Sequence, residues 1–445
     1  MTDNYASPLS LQIAPDGGAG GEASLPGRGV SPHPSFSDVP PQAASDVEEG
    51  HLTAQKYIQD DKETLAHLLK LTLAQGQTLN LDTNEELPRL IPILCSYFSS
   101  EELIQLTGEK TAAKILDMHR TEVLQNLFLE SELRNVLHAF NEAEIPLMLF
   151  KGPALAYTIY PQANLRTYHD IDALIHPDDL ERAGDLLTGM EYSFYNEYRA
   201  DAVDEQRTGY HYVLERPDSW LSVLIELHTA PHSSEIGSLF DREALWVRAK
   251  MITVLGEPTL TMDPADHLLY LCWHYRFHGF TRLLWLYDIV MLLRTFGEQL
   301  DWVGLVCTAH RQQMAATLYY CLSWCRDLFG VVVPERVFIQ LRPPLASRLI
   351  VERITMPDPA WALAAAQGQQ RRLIARRAMV DSKGGLLRAG LRTLFPSPTA
   401  MKKRYMERLR LPLQLFFLFY PIHPCITLAK GCYYFLRRRT KGKKR

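Results

Sequence analysis

Residues 165–175 read L-R-T-Y-H-D-I-D-A-L-I, an apolar run that carries two carboxylates, Asp170 and Asp172, two positions apart. Read as a strand, the run projects residues i and i+2 from the same face. The spacing then aims both carboxylates the same way from a rigid element. Like charges held that close repel unless a proton or a cation lies between them. The simplest such cation is Mg²⁺, a hard ion bound by one or two carboxylates together with substrate phosphates. This spacing points toward phosphate chemistry.

The flanking sequence supplies the rest of a small α/β unit over 142–235. Pro146 ends a helical pattern, and Leu147-Met148-Leu149-Phe150 is a short buried strand. Lys151-Gly152-Pro153 is a turn that places proline at the first helical position of a short helix over 154–160. The aspartate strand runs over 170–175. Pro177-Asp178-Asp179 then opens a helix that runs to about Leu187 and stops near Gly189. Residues 210–214 and 221–227 make two further strands joined by Arg216-Pro217-Asp218-Ser219. The last of these strands holds Glu226, with Ile225 and Leu227 on the opposite face. A charge inside an apolar strand is expensive without a partner, and a metal ion or a lysine would serve.

Helical spacing marks 52–75 and 100–141, within an N-terminal helical region over 51–141. Asp263-Pro264 reads as a capping residue followed by a first-turn proline, and apolar residues fill 267–296 and 302–330. These define a helical domain over 240–345. Residues 1–50, rich in Gly, Pro, Ser, Ala and Asp, read as a disordered tail without a signal-peptide pattern. Seven dispersed cysteines with no CxxC pair suit a reducing compartment, and Cys321 and Cys325 read as small buried residues. The expected location is cytoplasmic.

The charge is divided. Residues 371–445 carry 20 Lys and Arg against Asp381 and Glu407, a net of +18, which leaves −22 on the rest of a chain whose total is −4. The extension over 346–445 is thus a basic arm on an acidic body, and it asks for a polyanionic partner. Its aromatic stretch, 411–436, is interrupted by Pro412, Pro421 and Pro424, too often for a membrane-spanning helix. Three readings remain for the arm: an anionic membrane surface met through 399–445, a nucleic acid, or a helical pair with a solvated tail. The acidic body argues against a long nucleic-acid track.

The blocks L-F-K-G-P-A-L-A-Y-T-I-Y-P (149–161), L-R-T-Y-H-D-I-D-A-L-I (165–175) and I-E-L-H (225–228) resemble the bacterial uncharacterised nucleotidyltransferase family of the DNA polymerase β-type superfamily. D-P-A-D-H-L-L-Y-L-C-W-H (263–274), R-L-L-W-L-Y-D-I (282–289), D-W (301–302) and F-P-S-P (395–398) extend the resemblance over roughly 115–410. It implies an α+β fold: a small mixed β-sheet nucleotidyltransferase core, flanked by N-terminal helices and a C-terminal helical domain. It also implies that Asp170 and Asp172 are metal ligands and Glu226 a third carboxylate, ligand or base, for Mg²⁺ or Mn²⁺. Lys151 and Gly152 stand where the superfamily has a Gly-Ser turn that cradles phosphates. Here the turn is Lys-Gly, a departure that bears on how a triphosphate is held.

Each residue has a plainer alternative. Glu226 pairs with Lys151, and Arg166 is either a phosphate fork or a brace for the aspartates. His169 and His228 flank the carboxylates and read as structural. Trp273, Trp285 and Tyr287 read as core rather than as a platform for a base, and Arg282 is a candidate to reach a nucleotide from across the cleft. The leading expectation is a Mg²⁺-dependent nucleotidyltransferase that moves a nucleoside monophosphate from an NTP donor to an acceptor. The acceptor, whether small molecule, sugar or protein, is not encoded in these motifs. The rival expectation is a non-catalytic nucleotide-binding or adaptor protein, peripheral at the inner face of a membrane.

Overall fold

A computed structural model describes residues 58–74, 88–194, 211–216, 221–231, 240–280, 282–355, 369–402, 405 and 417–429. The tail over 1–50, most of the turn after Arg216, and residues 406–416 and 430–445 of the basic arm lie outside them.

Elements are numbered in chain order. The N-terminal region holds α1 (Ile58–Ala74), a 3-10 turn (Pro88–Leu90), α2 (Ile91–Tyr97), α3 (Ser100–Thr107) and α4 (Glu109–Glu142). The helical pattern over 100–141 is thus two helices. Gly108 separates them at φ +84°, a conformation a side chain would resist, and it serves both helix ends. Ser99 starts α3 through a reciprocal box: its hydroxyl accepts from the Glu102 N–H, and the Glu102 carboxylate accepts from the Ser99 N–H.

The core contributes β1 (Met148–Leu149), α5 (Gly152–Thr158), β2 (Asp170–Leu174), α6 (Leu180–Gly189), β3 (Ser193–Phe194), β4 (His211–Arg216) and β5 (Val223–His228). Apart from β3, which the sequence reading lacks, these elements follow that reading to within a few residues. The sheet, however, continues past residue 235. After α7 (Arg242–Arg248), a hairpin of β6 (Lys250–Val254) and β7 (Glu257–Thr261) joins it, within the stretch read as purely helical. Its two-residue turn, Leu255-Gly256, has φ +55° and +87°. Such turns ordinarily carry Asn or Gly at both positions. Leucine at the first hid the hairpin signal.

The described strands form one mixed sheet in the order β3-β4-β5-β2-β1-β7-β6. The pairs β2–β5 and β1–β7 are parallel and the others antiparallel. Strand alternation splits the side chains between two cores. Ile171, Ala173, Ile225 and Leu227 share one with Leu133, Val136 and Phe140 of α4. Met148, Phe150, Leu174 and Leu260 share the other with the helical domain. Asp170, Asp172 and Glu226 belong, by the same alternation, to the face turned toward that domain.

The helical domain comprises α8 (Pro264–Phe277), α9 (Leu283–Phe296), α10 (Trp302–Arg311), α11 (Ala315–Phe329) and α12 (Glu335–Leu341). Asp263 caps α8 by accepting from the Ala265 N–H at 2.9 Å, with Pro264 at the first position as read. Each leucine that α8 and α9 bury is worth roughly 1.5–3 kcal/mol. A buried ion pair joins the N-terminal helices to this domain: Arg294 donates to the two carboxylate oxygens of Asp61 at 2.5 and 2.7 Å. Tyr287 and Trp273 are core residues, whereas Trp285 is half-buried. Cys272, Cys321 and Cys325 are buried free thiols. The chain continues through α13 (Leu345–Thr355), α14 (Gln369–Ala378), α15 (Lys383–Leu394) and α16 (Pro398–Met401). No described helix is long and apolar enough to cross a membrane.

Candidate functional site

The site begins with strand register. Asp172 of β2 stands opposite Glu226 of β5, and Leu174 stands opposite His228. Because i and i+2 share a face, Glu226 and His228 project together toward Asp172. The Nε2 atom of His228 lies 3.3 Å from Asp172 Oδ1 and 3.5 Å from Glu226 Oε2. One ligand atom from each of the three residues falls within 4.8 Å of the others. Two carboxylates and an imidazole are a donor set that fits a divalent cation.

Lys151 reaches the same point from the turn after β1. Its ammonium donates to Asp172 Oδ1 and lies 3.8 Å from Glu226 Oε2. Burial works against that charge, but Asp172, Tyr270 and Glu226 hold the lysine well above its ordinary range. The Lys151 backbone has φ +125° and ψ −136°, a region natural to glycine. A side chain there costs about 1–3 kcal/mol and persists only where the surroundings impose it. Gly152 follows for a packing reason: a Cβ on it would sit 2.5 Å from Tyr168 Cβ. The close approach that glycine permits here is to Tyr168.

Asp170 starts β2, one step beyond Asp172 on the same face, opposite Leu224. Burial, then the charges of Asp172 and Glu226, push its carboxyl up to about 7, against the pull of Lys151 and Arg89. The carboxylate cluster thus carries more negative charge than Lys151 alone offsets, which is the condition that favours a bound cation. Beside it, His169 is pushed down to about 4 by desolvation and by the charges of Arg89, Arg166 and Arg282.

Arg166 was read as a phosphate fork or a brace for the aspartates. Its side chain is buried, with Nε 2.7 Å from Asp288 Oδ1 and Nη2 3.0 Å from Asp288 Oδ2. The Tyr160 hydroxyl adds a third contact to Asp288, at 2.8 Å. A bidentate pair of this kind locks the planar fork. Arg166 therefore joins the core to α9, and its fork is closed on Asp288.

A chain of ring contacts runs from His228 to Trp285. His228 meets Phe150 edge-on at 5.0 Å between centroids, and Phe150 meets Tyr270 at 5.2 Å. Tyr270 stacks on His274 at 5.9 Å, and His274 meets Trp285 at 4.5 Å. Arg282 lies over Trp285, 4.5 Å from the ring centroid. Burial depresses His274 far below the ordinary imidazole range, with the Lys151 charge adding to the effect. Tyr270 carries no spacing signal, because it reaches Lys151 only through the packing of α8 on the sheet. His228 did carry a signal: it follows Glu226 by two in a strand, as Asp172 follows Asp170.

A separate cavity of about 570 Å³ lies among α7, α8 and α10 and shares no residue with this centre. Its Asp241, Asp263 and Asp301 cap the helices behind them.

The family model described as an uncharacterised nucleotidyltransferase matches residues 86–330, a span that runs from the 3-10 turn through α11 and includes every residue of the centre. No curated protein and no solved structure matches the chain.

Proposed function

The chain belongs to the uncharacterised nucleotidyltransferase family, and on that premise we propose that it transfers a nucleoside monophosphate from an NTP to an acceptor hydroxyl or related group, with Mg²⁺ or Mn²⁺ as cofactor. The observation that carries the reading is the in-register meeting of Asp172 and Glu226 across β2 and β5, with His228 beside them.

In this reading Asp172, Glu226 and His228 hold the ion, with Asp170 supplying a further carboxylate at the strand's start. A divalent ion at such a centre lowers the cost of charge on the attacking and leaving oxygens. The acceptor oxygen forms a bond to the α-phosphorus, the bond from that phosphorus to the bridging oxygen breaks, and pyrophosphate leaves. The acceptor's proton passes to the carboxylate cluster. Lys151 keeps Asp172 and Glu226 together, and its own position is fixed by the turn into α5. His228 is oriented by the edge of Phe150. Arg282, placed over the Trp285 ring, brings a positive charge to this side of the site, where it suits the polyphosphate of a chain whose phosphate turn is Lys-Gly.

The test is NTP binding followed by turnover. Thermal melts with ATP, GTP, CTP and UTP, each with Mg²⁺ and with EDTA, are run on the wild type and on Asp170→Asn/Asp172→Asn. A ligand that binds only the folded state raises the melting point by mass action. The reading predicts a rise with an NTP that needs both the ion and the aspartates, and pyrophosphate release once an acceptor is supplied. Melting points indifferent to every NTP, or equal rises in the variant, would remove it.

A further inference from the structure

Ten of the nineteen large apolar side chains that the described residues leave exposed fall at or after residue 345. Large exposed apolar patches mark interaction surfaces. The concentration is strongest on two segments. Leu387, Leu391 and Phe395 recur every four residues along α15 and just past its end, with exposures of 67%, 49% and 56%. That spacing puts them in one stripe. Phe417, Leu418 and Ile422 are exposed by 57%, 50% and 49%.

The two segments are fastened together. His423 is buried, with Nε2 3.1 Å from the Thr393 carbonyl and Nδ1 2.6 Å from the Tyr405 hydroxyl. The Tyr420 hydroxyl donates to the Pro396 carbonyl at 3.0 Å. The apolar side chains therefore belong to one module and do not act as separate outcrops.

The sequence that carries this module is almost wholly positive in charge. Arg388 and Arg392 are exposed next to the stripe. Residues 371–445 total +18. Of the two acidic residues in that span, Asp381 is spent on the Ala315 and Ala316 N–H groups, at 3.0 and 2.7 Å.

We propose that the face formed by α15 and residues 417–429 docks onto an anionic lipid bilayer, its leucines and phenylalanines entering the acyl boundary and its arginines meeting headgroup phosphates. Apolar side chains set among cations are the composition of an interfacial element. An anionic bilayer supplies both an apolar layer and a dense sheet of negative charge. The absence of a crossing helix among the described residues fits an element that lies on the surface. The competing occupant is a second copy of the chain, whose acidic body would meet the arginines.

The experiment is vesicle flotation of the full chain on phosphatidylglycerol-containing and pure phosphatidylcholine vesicles, in about 0.1 M and about 1 M salt. Leu391→Ser/Phe395→Ser and Arg388→Glu/Arg392→Glu are compared with wild type, with melting points to verify folding and light scattering to report association. The proposal expects binding to the anionic vesicles that drops about tenfold or more in high salt, and a drop of about tenfold or more in each double variant. Folded variants that float like the wild type would overturn it, as would a wild type that ignores both vesicles. Concentration-dependent dimerisation lost in the same variants, without flotation, would assign the face to the second copy. Each of these readouts is independent of NTP turnover, so the surface and the proposed activity stand or fall separately.

Discussion

Asp172 and Glu226 are register partners on adjacent parallel strands, and a single ammonium, that of Lys151, lies against both. The arrangement gathers negative charge on one sheet face and partly neutralises it from the chain itself.

Removing that ammonium isolates the consequence. Lys151→Met leaves Asp172 buried beside Glu226 without its main counter-charge. Breaking a buried pair from one side costs about 3–5 kcal/mol. Part of that cost is offset here by relief of like-charge strain through proton uptake at Asp170. Denaturant unfolding in EDTA should show a loss of this order, and Mn²⁺ should restore more stability to Lys151→Met than it adds to the wild type. A variant as stable as wild type in EDTA would mean the lysine contributes no net stabilisation to the carboxylates.

The Asp170 carboxyl supplies a pH signature. Its folded-state pKa, raised to about 7 by burial and by Asp172 and Glu226, lies above the value of an unfolded aspartate, about 3.9. Between those values the folded chain binds more protons than the unfolded chain, so stability falls as pH rises. One proton sets the limit at about 1.4 kcal/mol per pH unit. Wild type should therefore lose stability relative to Asp170→Asn from about pH 4 to pH 7 in EDTA, with the difference constant below that window. Parallel pH profiles for the two proteins would contradict the raised pKa.

Much of this site could be read along a single strand. The i, i+2 rule places Asp170 with Asp172, and it places His228 with Glu226 in the same way. What strand periodicity cannot supply is a partner from another layer. Asp288 reaches Arg166 across 122 residues of sequence, and Tyr270 reaches Lys151 from α8; both depend on how the helical domain seats on the sheet. The hairpin of β6 and β7 was hidden for a local reason, a leucine where the turn's φ of +55° usually selects Asn or Gly. Gly152 reads in the sequence as part of a turn that cradles phosphates, whereas its close neighbour in the fold is Tyr168.

Arg166 and Asp288 make a separate prediction about stability. The pair is buried, bidentate and shared with Tyr160. Arg166→Met should leave Asp288 without its charge partner and cost about 3–5 kcal/mol in denaturant unfolding. Arg166→Met/Asp288→Leu should recover much of that loss, because neither charge then remains buried alone. If Arg166→Met unfolded like the wild type yet lost NTP affinity, the guanidinium would be a ligand contact and the buried-pair account would fail.

Gly152 separates packing from conformational freedom. An alanine there would place its Cβ 2.5 Å from Tyr168 Cβ, a contact that neither side chain can relieve by changing rotamer. The backbone must move, and overpacking of this kind costs about 1–3 kcal/mol. The helix-propensity gain from replacing a glycine, at most about 1 kcal/mol, cannot offset the upper part of that range. Gly184 in α6 is the control: a Cβ there meets nothing within 4 Å, so Gly184→Ala should stabilise by about 0.5–1 kcal/mol. Because Gly152 follows Lys151, the shift in Gly152→Ala should also move the ammonium off Asp172 and weaken NTP binding in the presence of Mg²⁺. Stability is read from the denaturant midpoint and binding from the NTP-dependent rise in melting point. A destabilised Gly152→Ala that keeps wild-type NTP affinity would confine the glycine to packing and detach it from the site.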